Sequence, residues 1–309
     1  MTPNRSTTGQ RRGLEASALT GLVPLIAVIP VWLVALFPVW LVVQTVWEIS
    51  FFALALGHLA SSVVLFIRPL QVLILGRLLG ARPPTIQQAA RLEPAWNMVL
   101  QANKVPRGRY VVMVLPSNEI NAYACGGHLV VVTSYAVESL PKAELSGVLA
   151  HELSHHLGFH TVALTVMHWL GAPVWLLARL GFTLNNVATA ATSSFVSHSA
   201  ALTAIGRLLS ALLTAVSWVL LSGLWISTAL SNVVGRRSEF QADQRAIDMG
   251  FGQPLASALR RVSATSGGAT PIGWRERLAV THPSARLRTA RIDAALRSRG
   301  QRTRPIHTA

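Results

Sequence analysis

The chain has 309 residues, of which 51% are hydrophobic and only 13% are charged. Soluble globular proteins carry about 25% charged residues, so this composition excludes an ordinary water-exposed surface and favours a membrane protein. The net charge of +15 reflects scarce acid, with 12 Asp and Glu against 27 Lys and Arg. The single cysteine excludes an intramolecular disulfide and a cysteine-cluster metal site.

The first two predicted elements are membrane spans. Residues 22–47 form an uncharged apolar run that is long enough to cross about 30 Å of hydrocarbon as a helix, and we interpret it as an uncleaved anchor. A second run, 51–67, is interrupted by Arg68 and Pro69, after which the apolar sequence continues to Leu79. This span either stops at Arg68, with the remainder in the membrane interface, or slides towards the C-terminus.

The following segment, residues 82–160, is more polar. Two β-rich stretches, 110–115 and 129–133, are joined by a linker with a Gly-Gly pair, which predicts a hairpin or a bent strand pair. Pro141 suits the first turn of a helix, and apolar residues then repeat at helical spacing. This predicted helix carries the string HELSH at residues 151–155.

Two more apolar runs, 162–184 and 208–234, predict spans three and four. The stretch between them is rich in Ser, Thr and Asn, and we expect it to be a long loop. From Arg236 onward the chain is basic and helical in pattern, and we expect residues 293–309 to be a disordered basic tail.

Arginine placement predicts the orientation of these spans, because the cytoplasmic flanks of membrane helices collect Arg and Lys. Arginines precede span one, follow span two and follow span four, whereas the loop between spans one and two carries neither Arg nor Lys. The residues are Arg5, Arg11, Arg12, Arg68, Arg77, Arg82, Arg91, Arg236 and Arg237. Both termini and the segment 82–160 are therefore expected in the cytoplasm, and the basic charge is explained without a nucleic-acid partner.

The string HELSHHLGFH matches the short zinc motif H-E-x-x-H with His151, Glu152 and His155. Residues i and i+4 project from one face of a helix, so the two histidines can present imidazoles to one tetrahedral zinc ion. Glu152 lies beside them, placed to take a proton from a zinc-bound water. The longer metzincin motif fails, because it requires a histidine where Thr161 stands, and His160 comes one residue early.

A third ligand must come from elsewhere in the chain. Acidic residues are rare, and three of them, Glu239, Asp243 and Asp248, lie in the polar helix predicted after span four. Glu239 and Asp243 are themselves i and i+4 in the string SEFQAD, so one can bind the metal while the other holds a ligating histidine through its second nitrogen. Two predicted spans separate His155 from Glu239, and an even number returns the chain to the same side of the membrane.

Five strings along the chain are together more specific than any one alone: NAYACGG, AELSGVLA, HELSH, SEFQAD and THPS. In this order and spacing they resemble the membrane-embedded zinc metalloproteases typified by the HtpX heat-shock protease and the CAAX prenyl protease. The likeness covers residues from about 90 to 290. Because the chain is short and has few predicted spans, it is closer to HtpX.

The resemblance implies roles for individual residues. His151, His155 and Glu239 bind one Zn²⁺, with Glu152 as the general base, and Asp243 supports a ligating histidine from outside the metal site. Further residues are implied beside the active site or the substrate, and they are Asn121, Ala122, His282 and Arg288. His156 and His160 are not expected to touch the metal.

The expected fold is mainly α with a small β-sheet. A multi-pass membrane protein would carry a gluzincin-type metalloprotease domain that is split by a transmembrane helical hairpin. The predicted segments are a cytoplasmic N-terminal segment (1–21), a transmembrane hairpin (22–81), the first part of the peptidase domain (82–160), a second transmembrane hairpin (161–234), the second part of the peptidase domain (235–292) and the tail (293–309).

The leading hypothesis is a zinc-dependent endopeptidase in the cell membrane that cleaves membrane or misfolded proteins at the cytoplasmic face. Its partners would be protein or peptide substrates and the lipid bilayer, and an extended substrate would add as a strand beside residues 129–133. The sequence gives no oligomeric state. The alternative is a catalytically inactive membrane scaffold of the same fold, against which the intact Glu152 argues. A third hypothesis, recruitment of nucleic acid or anionic lipid, rests on charge alone.

Overall fold

Helices dominate the protein, as the apolar runs and the helically spaced segments predict. The computed structural model describes residues 6–158, 160–195, 199–265 and 284–302. Its helices are α1 (Ser6–Gln44), α2 (Phe51–Ser61), α3 (Arg68–Leu79), α4 (Ile86–Ala102), α5 (Ser134–Ser139), α6 (Lys142–Leu157), α7 (His160–Phe195), α8 (Ala200–Asp248), α9 (Gly252–Thr265) and α10 (Ala285–Arg302), with a 3₁₀ segment at Ser62–Phe66. Together with one small sheet, they confirm the predicted fold class.

The chain divides into two compact units. The first, which we call the sheet unit, contains Met1–Gly21, Val64–Val162 and Asn232–Ala309, and the second, the helical unit, contains Leu22–Val63 and Ala163–Ser231. The second boundary falls at Val64, inside the predicted hairpin of residues 22–81. Helix α3 therefore groups with the residues of the predicted peptidase domain.

Among the described residues, three helical stretches are long and apolar enough to cross a membrane, namely Leu22–Gln44, Thr161–Ser193 and Ala200–Asp248. A fourth candidate is the broken pair Phe51–Phe66 and Arg68–Leu79, which bends by 89° at the position where Arg68 and Pro69 interrupt the apolar sequence. Four candidates correspond to the four predicted apolar runs.

The helical unit buries an apolar centre and exposes apolar side chains. Trp32 of α1 and Leu170 and Val174 of α7 are buried in one cluster. His58 is a packed residue in the same unit, because its Nδ1 accepts a hydrogen bond from Trp32 Nε1 at 3.0 Å and its ring stacks on Trp169. Large apolar side chains such as Val42, Phe52 and Leu208 are exposed, as expected for helices that face lipid.

The polar stretch between the third and fourth apolar runs is helical. Helix α7 extends to Phe195 and α8 begins at Ala200, so the expected long loop is wrong. A helix tolerates these hydroxyl side chains because each can bond to the carbonyl four residues earlier in the same helix. Thr189 donates to the carbonyl of Asn185 at 2.8 Å, and Thr192 donates to that of Ala188 at 2.7 Å.

The sheet has three strands, β1 (Val111–Leu115), β2 (Ala122–Cys125) and β3 (Leu129–Thr133), in the order β1-β3-β2. β3 is parallel to β1 and antiparallel to β2. The two β-rich segments therefore do not form the predicted hairpin with each other, because the linker between them contributes a strand of its own. The hairpin is β2–β3, and its turn includes Gly126 at φ 58°.

Both faces of the sheet are covered, which explains why β3 is apolar at nearly every position. Val130 and Val132 belong to the main core, with buried residues of α4, α6 and α9. Leu129 and Val131 point the other way and form a second cluster with side chains of α3. The sheet is thus a buried layer that fixes α3 on one face and the HELSH helix on the other.

The C-terminal helix α10 runs to Arg302, so the prediction of a disordered tail is wrong for residues 293–302. Although the helix is basic in composition, it has apolar residues on one face. Ile292 is buried in the main core, and Leu296 packs against that core. Asp293 pairs with Arg260 of α9 at 2.7 Å. Residues 303–309 lie outside the described part of the chain.

Candidate metal centre

Helix α6 places two histidines of the HELSH string side by side. Its apolar residues Leu145, Leu149 and Leu153 are buried in the main core and hold one face of the helix there. His151 and His155 lie one turn apart on another face, 2% and 7% exposed, and their Nε2 atoms are 3.2 Å from each other. Helical spacing alone predicted this pair.

Helix α8 brings Glu239 to the same two histidines. Oε1 of Glu239 lies 3.1 Å from Nε2 of His155, and Oε2 lies 3.3 Å from Nε2 of His151. The carboxylate is only 2% exposed. These three side chains form a group whose nitrogen and oxygen atoms lie within 4.8 Å of one another, a spacing at which they could hold a metal ion.

The spacing of these atoms fits a single tetrahedral ion. Zinc binds imidazole nitrogen and carboxylate oxygen at about 2.0–2.1 Å, so neighbouring ligand atoms in a tetrahedral site are about 3.3 Å apart. The two histidine nitrogens are 3.2 Å apart, and they lie 3.1 and 3.3 Å from the two different oxygens of the Glu239 carboxylate. Two imidazoles with one carboxylate are also a donor set that zinc accepts in catalytic sites. Which residues bind a metal stays a prediction, and both geometry and donor chemistry support it.

Glu152, the residue predicted to be the general base, is buried beside this group. It is 3% exposed, and within the described residues its Oε2 has no hydrogen-bond partner. Burying an unpaired carboxylate oxygen is costly, so such atoms in proteins generally have a partner in the functional state. A water molecule or substrate group beside Glu152 would supply one.

Asp243 and Arg288 form a charged group beside His151, and Nη2 of Arg288 lies 3.1 Å from each of the two ring nitrogens. Oδ1 of Asp243 lies 3.0 Å from Nδ1 of His151, the ring nitrogen that faces away from Glu239. Arg288 of α10 binds both carboxylate oxygens of Asp243, through Nε at 3.0 Å and Nη2 at 2.7 Å. A third nitrogen of Arg288, Nη1, lies 3.3 Å from Oε2 of Glu239. The guanidinium therefore balances two carboxylates in a buried site.

Charges around His151 shift two pKa values in opposite directions. Burial and the charge of Arg288 lower the pKa of His151, but the carboxylates of Glu239 and Asp243 outweigh both and raise it above its ordinary value. Burial raises the pKa of Asp243, but hydrogen bonds and charges from His151 and Arg288 outweigh it and lower that pKa. A proton on His151 and a metal ion at its Nε2 therefore compete for the same atom.

The two other histidines of HELSHHLGFH were expected not to touch the metal. Nε2 of His156 lies 3.0 Å from the carbonyl oxygen of Leu129, and its ring stacks on Tyr110. Burial lowers the pKa of His156 to about 4, so the ring is neutral and packs as part of the core. His160 begins α7, and its side chain lies outside the described part of the structure.

The remaining predicted residues fall at different places. Asn121 precedes β2, and its Oδ1 accepts a hydrogen bond from the backbone N–H of Ala122 at 2.8 Å. Ala122 is buried at the start of β2, a strand that packs against α6. These contacts place both residues in the sheet beside the HELSH helix. His282 lies outside the described residues.

Two residues near the centre carried no signal in the sequence. Arg245 of α8 donates to the carbonyl of Ser154 at 2.8 Å and satisfies the last turn of α6, as cations at helix C-termini do. Burial raises the pKa of the Cys125 thiol to about 12, and the charge of Glu152 adds to this. The contact of Arg245 with Ser154 joins segments that are far apart in sequence, and no local motif predicts it.

The profile described as peptidase family M48 matches residues 86–296, more than half of the chain. The chain belongs to peptidase family M48. The matched region of this M48 peptidase contains the three grouped side chains together with Glu152, Asp243 and Arg288. It begins after the first two apolar runs, so the candidate spans at the N-terminal end lie outside the family match.

This M48 peptidase is similar to proteases of the HtpX group. It is 30% identical over 183 residues to a protease HtpX homolog of Acidiphilium cryptum (58% of this chain, 57% of that protein) and 29% identical over 232 residues to one of Acaryochloris marina (66% and 72%). It is 30% identical over 158 residues to protease HtpX homolog 2 of Methanosarcina mazei (49% and 48%). The matches thus span between about half and three quarters of these relatives. The crystal structure of S. mikatae Ste24p aligns with a TM-score of 0.48 and 18% identity, covering 91% of this chain and 66% of that one.

Proposed function

We propose that this M48 peptidase is a zinc-dependent endopeptidase that cleaves membrane or misfolded proteins at the cytoplasmic face of the membrane. The observation that carries the proposal is the group of three buried side chains whose ligand atoms lie within 4.8 Å of one another, with the buried carboxylate of Glu152 beside them. His151, His155 and Glu239 would hold the ion. A bound zinc would supply Lewis acidity, polarising the scissile carbonyl and lowering the pKa of bound water towards about 7.

The protein's own side chains would move the protons and hold the ligands. Glu152 would accept a proton from the attacking water and pass it to the leaving amine, since its Oε2 has no competing hydrogen bond in the described structure. Asp243 would accept the Nδ1 proton of His151 and so direct Nε2 towards the ion. Arg288 would keep Asp243 and Glu239 ionised by pairing with both.

The place where substrate adds must be revised. An extended peptide was expected beside β3, but β3 is hydrogen-bonded to β1 on one side and to β2 on the other. A peptide can add only where backbone groups are exposed at the edge of a sheet. Within the described residues β2 is such an edge strand, and it packs against α6. We therefore propose that substrate lies along β2, beside the HELSH helix.

The proposed place of action is the cell membrane, with the catalytic residues on the cytoplasmic side. The similarity to HtpX homologues and the apolar helices support a membrane protein, with protein or peptide substrates and the lipid bilayer as its partners. Arginine placement favours both termini and the catalytic residues in the cytoplasm. No nucleic-acid partner is proposed, because the basic residues flank apolar helices.

The decisive experiment compares metal content and proteolysis for the wild type and Glu152→Gln in detergent. The substitution removes a base and no ligand, so bound zinc should stay equimolar while cleavage of casein, or self-cleavage, is lost. Glu93→Gln is the matched control, because Glu93 is an exposed carboxylate on α4. Wild type that binds zinc but cleaves no substrate better than Glu152→Gln would favour the inactive scaffold. Binding of anionic lipid or nucleic acid that weakens with salt and is unaffected by chelators would favour the third hypothesis, recruitment of these partners by charge.

A further inference from the structure

The turn between β2 and β3 is held by a single buried side chain from α3. The turn contains Gly126, Gly127 and His128, and the backbone N–H groups of the last two point at one acceptor. That acceptor is Oε1 of Gln71, at 3.2 Å from the nitrogen of Gly127 and 2.9 Å from that of His128. Gln71 is 1% exposed.

The other end of the Gln71 amide fixes its orientation. Nε2 donates to the carbonyl of Leu65 at 2.7 Å. One end of the amide thus faces two donors and the other faces an acceptor, so the reversed orientation would oppose donor to donor and acceptor to acceptor. The side chain links the 3₁₀ segment that contains Leu65, the start of α3 and the β2–β3 turn.

The turn is shaped to receive this side chain. A Cβ atom added at Gly126 would overlap the Gln71 amide, and the φ of Gly126, 58°, also favours glycine. Below the turn, Val72 and Leu75 of α3 pack on Leu129 and Val131 of β3. Apolar contacts therefore dock α3 against the sheet, and Gln71 alone satisfies the two turn donors among the described contacts.

We propose that Gln71 is a positioning residue for peptide hydrolysis, which holds the edge strand β2 in the place where it binds an extended peptide beside α6. The proposal rests on the proposed function and adds to it the element that sets substrate position. A peptide bound along β2 contacts this strand equally in the ground state and the transition state. Displacing the strand should therefore weaken binding, with little effect on the chemical step.

The test uses Gln71→Met, which keeps the length of the side chain and removes its three hydrogen bonds. Gln88→Met is the matched control in the same unit. Gln88 is also buried, its Oε1 accepts from Thr85 N at 3.1 Å and Arg82 Nη1 at 3.4 Å, and its Nε2 donates to Glu138 at 2.9 Å. Both variants lose a comparable set of bonds, so a general loss of stability should affect both alike.

The expected result is that Gln71→Met raises KM for a peptide substrate by about tenfold, with kcat and bound zinc close to the wild type. Gln88→Met should leave KM unchanged. Hydrogen exchange should be faster at the amides of Gly127 and His128 in Gln71→Met alone. Equal KM in the two variants, or a fall in kcat that follows zinc loss, would overturn the role of Gln71. Wild type that binds zinc and cleaves nothing would instead overturn the proposed function.

Discussion

At the residue scale, His151 has a charged neighbour at each ring nitrogen. Nε2 faces Glu239 at 3.3 Å, and Nδ1 faces Asp243 at 3.0 Å. The sequence offered the two carboxylates as equivalent candidates, because i and i+4 spacing places both on one helix face. The structure distinguishes them by distance, since Glu239 also lies 3.1 Å from Nε2 of His155. This supports Glu239 as the metal ligand and Asp243 as the residue that holds His151 in place.

This assignment predicts different outcomes for two conservative variants. Glu239→Gln removes an anionic ligand, so tight zinc binding and turnover should disappear together. Asp243→Asn removes a support of His151, and losses of this kind cost about 10–100-fold in affinity or activity, so zinc should remain bound at saturating metal. Zinc stoichiometry by elemental analysis and turnover at several zinc concentrations check both outcomes. If Asp243→Asn bound no zinc while Glu239→Gln still bound it fully, the roles of the two residues would have to be exchanged.

The raised pKa of His151 predicts that zinc affinity rises with pH. A protonated imidazole cannot bind the ion, so below this pKa each zinc must displace one proton and the affinity should increase up to about tenfold per pH unit. Above it the affinity should level off. Competition with a chromogenic chelator between about pH 6 and pH 10 measures the curve, because the pKa of His151 is raised to about 9.

A control for this curve follows from the cause of the shift. Asp243 is one of the carboxylates that raise the pKa of His151. Asp243→Asn should therefore move the start of the plateau to lower pH, although its affinity is weaker throughout. An affinity that is flat across the range in the wild type would contradict the proton competition.

At the element scale, the contact between α6 and α9 depends on one glycine. A Cβ atom at Gly147 would lie 2.5 Å from the backbone nitrogen of Leu255 and 2.8 Å from the carbonyl carbon of Pro254. Backbone atoms cannot rotate away as a side chain can, so the two helices must separate. Glu144 joins the same helices through Ser257 and Arg261, with hydrogen bonds of 2.8 and 2.9 Å.

Gly147→Ala should therefore destabilise the protein. Overpacking costs about 1–3 kcal/mol, and the helix propensity of alanine recovers only about 1 kcal/mol. The midpoint of thermal unfolding in detergent, followed by circular dichroism, should fall. Gly57→Ala is the control, since its Cβ would meet nothing within 4 Å. Its midpoint should be unchanged or higher, and equal falls in both variants would refute the packing argument.

The elements that sequence predicted well and those it missed differ in a physical way. Helix α6 followed from Pro141 and from leucines at helical spacing, and these signals are local. The parallel direction of the β1–β3 pair was missed, because it is set by packing of both faces of the sheet and leaves no turn signal. The helical end of α10 was missed because Ile292 and Leu296 are few among many arginines, although both pack in the core. Arg288 could be placed only by resemblance, since its contacts with Asp243 join distant helices.

At the scale of the whole molecule, the number of candidate spans decides whether the site can form on one side of the membrane. Apolar parts of α7 and α8 separate His155 from Glu239, and both are long enough to cross a bilayer. Two crossings return the chain to the side from which it left. We propose that this side is the cytoplasm, because the arginine distribution favours it.

The topology predicts the readings of four reporter fusions. Fusions at Ser50 and Ser194 should report the outer side, and fusions at Ala102 and after Ala309 should report the cytoplasm. The measurement is the paired activity of an alkaline phosphatase and a fluorescent protein reporter at each position. A cytoplasmic reading at Ser194 would contradict the third and fourth spans and remove the even count between His155 and Glu239.

The order of the metal-centre residues along the chain has a consequence for how the protein is made. His151 and His155 are synthesised on α6, but Glu239 follows only near the end of the 49-residue helix α8, and Arg288 later still on α10. A growing chain that has just emerged through the HELSH helix holds two imidazoles and neither the carboxylate that joins them nor the guanidinium behind it. Two imidazoles alone bind a divalent ion far more weakly than the three-residue set. On the proposed topology and ligand set, the nascent polypeptide therefore inserts into the membrane before the candidate metal centre is complete.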